Sequence, residues 1–100
     1  MVDKIIWSPR ALATFDVAIN YLSEEFADKE VEKFILRVYA KLALLQKQPF
    51  IGAVAGKKRN YFKTLVHKKV TLVYHYKPVK KEIELVTFWN NLQDPKSLKY

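Results

Sequence analysis

The sequence contains no cysteine, only two glycines and no long apolar run. The absence of cysteine excludes disulfides, thiolate catalysis and cysteine-ligated zinc, so we expect packing alone to stabilise the fold. No apolar segment approaches the roughly 18 residues of a membrane span, and the first residues lack the apolar core of a secretory signal. We therefore expect a cytoplasmic protein that does not associate with membranes.

Acidic residues are missing from the middle of the chain. Thirteen Lys and Arg and no Asp or Glu lie between Lys33 and Lys81, whereas residues 1–32 carry seven acids and three cations. The net charge is +8. Because such asymmetry destabilises a fold through self-repulsion, we expect it to serve an anionic partner, either a nucleic acid or an acidic protein. The alternative is a solvated basic face that keeps the protein soluble.

The length and the hydrophobic content predict one domain that spans residues 1–100. Residues 2–7 are apolar and read as a short strand. Ser8 is a typical helix N-cap, and Pro9 suits the first helical position because its missing N–H has no partner there. Apolar residues then recur at helical spacing, which predicts a helix with one buried face. These residues are Leu12, Phe15, Ile19, Leu22 and Phe26.

A second helix is predicted to follow after a tight turn. Asp28 is its predicted N-cap, and Pro49 is expected to end it at Gln48 because proline disfavours helical geometry in the preceding residue. Its apolar stripe comprises Val31, Phe34, Ile35, Val38, Leu42 and Leu45. Two helices joined by so short a turn run antiparallel.

The last half of the chain reads as a loop followed by three strands. Residues 49–59 are punctuated by Pro49, Gly52 and Gly56, which predicts a loop. Residues 60–67, 70–76 and 83–89 are β-rich, and their short connections predict an antiparallel meander. The order β-α-α-β-β-β predicts an α+β fold in which a helical hairpin packs on one face of an antiparallel sheet. The opposite face is then the expected binding surface.

Four stretches together resemble a known family. They are "IIWSPRALATFDVAINYL", "LLQKQPFIG", "RNYFKTLVHKKVTLVYHY" and "IELVTFWNNLQDPKSL". In this order they resemble the RelE/ParE superfamily of bacterial toxins from type II toxin–antitoxin systems. The resemblance implies a curved sheet flanked by the helical hairpin. It also implies a cognate acidic antitoxin that wraps around the toxin and neutralises it.

The resemblance implies two alternative activities. RelE-like members cleave messenger RNA, usually on the ribosome and without a metal or cofactor, whereas ParE-like members poison DNA gyrase without a nuclease centre. Many relatives that share the ending "FWNNLQDP" carry an arginine where this chain has Leu92. Leucine cannot stabilise a phosphoryl transition state. A ribonuclease would then need Lys96 or Lys99 to supply the missing positive charge. A degenerate toxin that retains only antitoxin binding is therefore a third alternative.

If the protein is a ribonuclease, the residues from Lys57 onward supply the candidate groups. Attack of a 2′-oxygen on phosphorus needs a proton acceptor, a donor for the leaving oxygen and fixed cations. The predicted catalytic residues are Lys63, His67 and His75, with His67 expected on the same strand face as Lys63. The predicted substrate-binding residues are Lys57, Lys58, Arg59, Tyr61 and Lys69. With two histidines and no cysteine, we expect no metal site.

Overall fold

The computed structural model describes residues 2–91 as two helices on one face of a five-stranded sheet. The elements in chain order are β1 (Lys4–Trp7), α1 (Pro9–Glu25), α2 (Asp28–Lys47), β2 (Ala53–Val54), β3 (Tyr61–His67), β4 (Val70–Lys77) and β5 (Glu82–Asn90). The strand order in the sheet is β1-β5-β4-β3-β2. The predicted α+β fold class is confirmed. Within residues 2–91, neither helix combines the length and the apolarity needed to cross a membrane.

The sheet is mixed, because β1 runs parallel to β5. Lys4 lies opposite Glu82 and Trp7 opposite Leu85. Strands β3 to β5 are antiparallel, as the predicted meander requires, and β2 also pairs antiparallel with β3. The predicted loop of residues 49–59 also contains the short strand β2, which pairs with β3. Two residues are too few to show an alternating pattern, so sequence periodicity could not reveal this strand.

The start of α1 follows its prediction. The Ser8 hydroxyl oxygen accepts a hydrogen bond of 3.0 Å from the Ala11 N–H, and Pro9 is the first helical residue. The same hydroxyl donates to the Val86 carbonyl at 3.2 Å, where the pairing register of β5 shifts. Ser8 therefore caps the helix and also satisfies the backbone of β5 at the irregular point.

The start of α2 differs from its prediction. Ala27 is the N-cap and makes no side-chain capping bond, so the predicted capping role of Asp28 is wrong. Asp28 and Glu30 instead lie in the first helical turn, where acidic groups interact favourably with the positive end of the helix dipole. The helix ends at Lys47, just before Pro49, as predicted.

The core lies between the helices and one face of the sheet. Helix α1 packs against β5, and α2 packs against β3. Phe15 is the centre of an aromatic cluster, with its ring centroid 5.2 Å from Trp7, 5.7 Å from Phe34 and 5.1 Å from Phe88. Full burial of a side chain such as Phe34 contributes about 1.5–3 kcal/mol to stability. This packing leaves the other face of the sheet uncovered by the two helices.

Candidate functional site

We call the sheet face turned away from the helices the outer face. Alternate residues of each strand point to it, while their neighbours Phe62, Leu72 and Tyr74 belong to the buried core. The outer-face residues that matter below are Tyr61 and Lys63 on β3, Val73, His75 and Lys77 on β4, and Glu82 and Glu84 on β5.

Tyr61 and His75 form a stacked pair on the outer face. They are direct cross-strand partners, and their ring centroids are 4.2 Å apart with planes only 9° from parallel. The Lys58 ammonium lies 5.7 Å from the centroid of the Tyr61 ring. A cation, a phenol and an imidazole are thus gathered at one end of the sheet.

Lys63 extends this group along β3. It is exposed and lies opposite Val73, so it is the diagonal neighbour of His75 on the same face. Diagonal neighbours are about 7–8 Å apart, a gap that one phosphate group bridges. We refer to Lys58, Tyr61, Lys63 and His75 as the basic–aromatic patch.

The surroundings of His75 favour its neutral form. Partial burial lowers the pKa of His75 below its ordinary value of 6.5, and the nearby Lys77 and Lys58 lower it further. Glu84, which lies directly opposite on β5, acts in the other direction. A neutral imidazole can accept a proton near neutral pH, which is the property required of a general base.

Carboxylates from β5 neutralise part of the positive charge on β4. The Lys77 ammonium lies 3.9 Å from a Glu82 carboxylate oxygen and 3.7 Å from one of Glu84. Although the segment between Lys33 and Lys81 contains no acid, its Lys77 therefore forms ion pairs with Glu82 and Glu84 in the folded sheet. Sequence reasoning missed Glu84 as a neighbour of His75, because only the pairing register of β4 with β5 brings the two together.

His67 lies on the side of the sheet that faces the helices. The pairing register shifts between Leu65 and His67, so the alternation of β3 reverses there. The His67 ring centroid lies 5.8 Å from Phe26 and 6.2 Å from Phe34, and only 4% of the residue is exposed. The prediction that His67 shares a face with Lys63 is wrong, because the bulge turns its side chain into the core.

The polar atoms of His67 have local partners. Its Nδ1 accepts a hydrogen bond of 3.0 Å from the Lys69 N–H, and its Nε2 lies 3.5 Å from a Glu30 carboxylate oxygen. The imidazole therefore joins the β3–β4 turn to the first turn of α2. This is a structural arrangement, in which the ring has no access to a molecule on the outer face.

The remaining candidates divide between the two ends of the sheet. Lys57 and Arg59 are exposed and precede β3, next to the patch. Lys69 lies in the turn after β3, at the opposite end of that strand. The structure thus groups Lys58, Tyr61, Lys63 and His75, with Lys57 and Arg59 adjacent to Lys58 in the chain, and separates His67 and Lys69 from them. Leu92, Lys96 and Lys99 lie outside the described residues.

A buried tyrosine fixes the loop that leads to the patch. The Tyr74 hydroxyl donates to the Pro49 carbonyl at 2.9 Å and accepts from the Gly52 N–H at 3.1 Å. A Cβ atom at position 52 would lie 2.8 Å from the Lys63 carbonyl oxygen, so only glycine allows this approach. The loop is therefore held against the strand that carries Lys63.

The comparisons with known proteins identify the family. A family model described as the ParE toxin of the type II toxin–antitoxin system parDE matches residues 5–95. The chain belongs to the ParE toxin family. It is therefore a toxin of a type II toxin–antitoxin system. A search of curated proteins finds no match.

Solved structures share the fold of this ParE-family toxin. The chromosomal ParDE system of P. aeruginosa matches with a TM-score of 0.69 and 15% identity over 90% of this chain and 96% of that chain. The YoeB/ParE toxin from Agrobacterium tumefaciens matches with a TM-score of 0.64 and 12% identity over 88% and 98%. The intact E. coli RelBE toxin–antitoxin complex matches with a TM-score of 0.59 and 17% identity over 86% and 93%. At these identities the likeness establishes the fold alone.

Proposed function

We propose that this toxin is a metal-independent endoribonuclease that cleaves messenger RNA at the basic–aromatic patch. The observation that carries the proposal is the stack of Tyr61 on His75 beside Lys63 on the outer face. It combines a surface for stacking an unpaired base, a titratable group and a cation for phosphate. These are the elements that recognition and cleavage of single-stranded RNA require.

In the proposed reaction, His75 accepts the proton of a ribose 2′-OH. The 2′-oxygen forms a bond to the neighbouring phosphorus, the bond from phosphorus to the 5′-oxygen breaks, and a cyclic phosphate remains. The imidazolium returns the proton, through water, to the leaving 5′-oxygen. Lys63 and Lys58 stabilise the negative charge on the phosphorus centre, and Lys57 and Arg59 hold the flanking backbone.

His75 is the better candidate than His67 for the proton transfer. A general base has to come within hydrogen-bond reach of the proton that it removes. His67 is enclosed by Phe26 and Phe34 on the helix side of the sheet, whereas His75 is partly exposed next to Lys63. We therefore assign the proton transfer to His75, and Lys69 to general electrostatic attraction of RNA.

We also propose that a cognate acidic antitoxin neutralises the toxin by covering its acid-free region. Two observations support this partner: the family belongs to type II toxin–antitoxin systems, and the chain carries a net charge of +8. An acidic segment that folds on binding is drawn to such a surface by complementary charge, which mainly raises the association rate. A short reading frame next to the gene that encodes an acidic protein with an amphipathic C-terminal half is the expected genetic arrangement.

Inhibition of DNA gyrase is the second candidate function. It is favoured by the match to the ParE family and by the ion pairs that withdraw Lys77 from phosphate binding. This activity needs a protein-binding surface and no proton acceptor. It therefore predicts that His75 is dispensable for toxicity.

Expression of the toxin without its antitoxin, followed by sequencing of transcript ends, tests the proposal. We expect growth arrest with new transcript ends inside translated messages, and we expect Lys63→Ala and His75→Ala each to remove both effects. Intact transcripts with double-strand breaks in DNA would transfer the function to gyrase inhibition. Normal growth, together with capture of the antitoxin, would indicate a degenerate toxin.

A further inference from the structure

Two glutamates stand out on the outer face, because no other acid occurs between residues 33 and 91. Glu82 and Glu84 are both on β5, two residues apart, so their side chains share the outer face. Glu82 is the cross-strand partner of Lys77, and Glu84 is the cross-strand partner of His75. Carboxylates repel the phosphate backbone, so their presence on a surface proposed to bind RNA calls for a physical explanation.

The carboxylate of Glu84 is held in place. The Lys77 ammonium lies 3.7 Å from its Oε1 and also 3.9 Å from Oε2 of Glu82. The side chains of Lys77 and Glu84 are 30% and 33% exposed, so solvent only partly screens the pair. This lysine bridges the two glutamates, and Glu84 is the cross-strand partner of His75 on the neighbouring strand.

His75 is thus bordered by charged or titratable groups from each element around it. Tyr61 stacks on its ring from β3, with Lys58 next to Tyr61 and Lys63 diagonally across. On β4 itself Lys77 follows two residues later, and Glu84 lies opposite on β5. Glu84 is the only carboxylate among these groups.

We infer that Glu84 is a positioning residue for His75, which stabilises the imidazolium that forms when His75 takes a proton from RNA, while Lys77 holds the Glu84 carboxylate. This inference rests on the proposed ribonuclease function. The physical basis is attraction between opposite charges on adjacent strands, which strengthens as the imidazole becomes charged. In this arrangement the Tyr61 ring orients the imidazole, and the Glu84 carboxylate stabilises its charged form.

NMR titration of the histidine ring signals tests the inference independently of RNA cleavage. The chain has two histidines, so a His67→Asn variant assigns both signals. We expect Glu84→Gln to lower the pKa of His75, because attraction is lost, and Lys77→Met to raise it, because repulsion is lost. Glu82→Gln is the matched control: it removes a carboxylate from the same face of the same strand, but opposite Lys77, and we expect a clearly smaller change.

The pH profile of RNA cleavage provides the second readout. A general base must be deprotonated, so the acidic limb of the profile follows the pKa of His75. We expect Glu84→Gln to move this limb to lower pH and to reduce the maximal rate by about tenfold, less than the 10²–10⁴-fold effect of removing a general base. A residue that only stabilised the fold would not move the limb.

Equal effects of Glu84→Gln and Glu82→Gln on the pKa of His75 would overturn the inference even if the wild type cleaves RNA. A changed pKa of His75 with no cleavage by the wild type would overturn the proposed function, and with it the catalytic role of Glu84. A changed pKa with an unmoved acidic limb would show that His75 is not the base.

Discussion

The two histidines of the chain, His67 and His75, lie in different environments although only seven residues separate them. His75 stacks on Tyr61 at the surface, next to charged groups. His67 is buried against Phe26 and Phe34. At the scale of the residue, one side chain therefore lies on the outer face and the other lies in the core.

The structural role of His67 predicts a loss of stability on its removal. His67→Ala leaves a cavity and an unsatisfied Lys69 N–H, so we expect about 2–4 kcal/mol of destabilisation in urea unfolding. His67→Asn keeps an acceptor near the position of Nδ1, so we expect it to be about 1 kcal/mol more stable than His67→Ala. Glu30→Gln, at the half-exposed partner, is expected to change stability by less than 1 kcal/mol. Normal stability of His67→Ala combined with lost toxicity would contradict this account.

The lowered pKa of His75 predicts a pH dependence of folding stability. The unfolded chain binds a proton at the ordinary value of 6.5, whereas the folded protein binds it only at lower pH. The contribution of His75 to stability is therefore fully present above 6.5 and is lost as the pH falls through the folded-state pKa. Relative to His75→Gln, the wild type is expected to lose stability as the pH falls below the ordinary value of 6.5. A difference between the two proteins that stayed constant or grew on acidification would contradict this.

At the scale of the element, the sequence predicted both helices and four of the five strands, and it missed only the two-residue strand β2. Helical periodicity and the cap at Ser8 were sufficient to place α1, because a buried stripe and a polar face follow a fixed spacing, although Leu12 of the predicted stripe is exposed. The parallel pairing of β1 with β5 depends on contacts between distant parts of the chain, which local patterns do not encode. The bulge before His67 adds one residue to β3, and it reversed the predicted face of that histidine.

The loop before β3 provides a prediction at this scale. Gly52→Ala is expected to cost about 1–3 kcal/mol, because its Cβ would meet both the Tyr74 hydroxyl and the Lys63 carbonyl. Tyr74→Phe is expected to cost about 1–3 kcal/mol, because the Pro49 carbonyl and the Gly52 N–H lose their partner. In the Gly52→Ala/Tyr74→Phe double variant, the clash with the Tyr74 hydroxyl is removed but the clash with the Lys63 carbonyl remains. We therefore expect the double variant to stay destabilised. Urea unfolding measures all three, with Val54→Ala at an exposed position as the control. Full rescue in the double variant would contradict the backbone contact.

At the scale of the whole molecule, the charge distribution connects the fold with its partners. The acids of residues 1–32 lie mostly on the helices, and the cations of residues 57–81 lie on and around the strands. The sequence revealed this division and most of the basic–aromatic patch, because Tyr61, Lys63 and His75 alternate regularly along β3 and β4. It could not reveal Glu84 as a neighbour of His75, since that requires the register of β5.

The most direct test of the patch is the rate at which purified toxin cleaves a translated messenger RNA. We compare the wild type with Lys63→Ala in the patch and with Lys33→Ala, which removes an exposed cation from α2 on the opposite side of the molecule. The account predicts a loss of about a hundredfold or more for Lys63→Ala. It also predicts a rate within about twofold of the wild type for Lys33→Ala, which alters only the long-range field. Equal rates for all three proteins, or an intact message with the wild type, would contradict it.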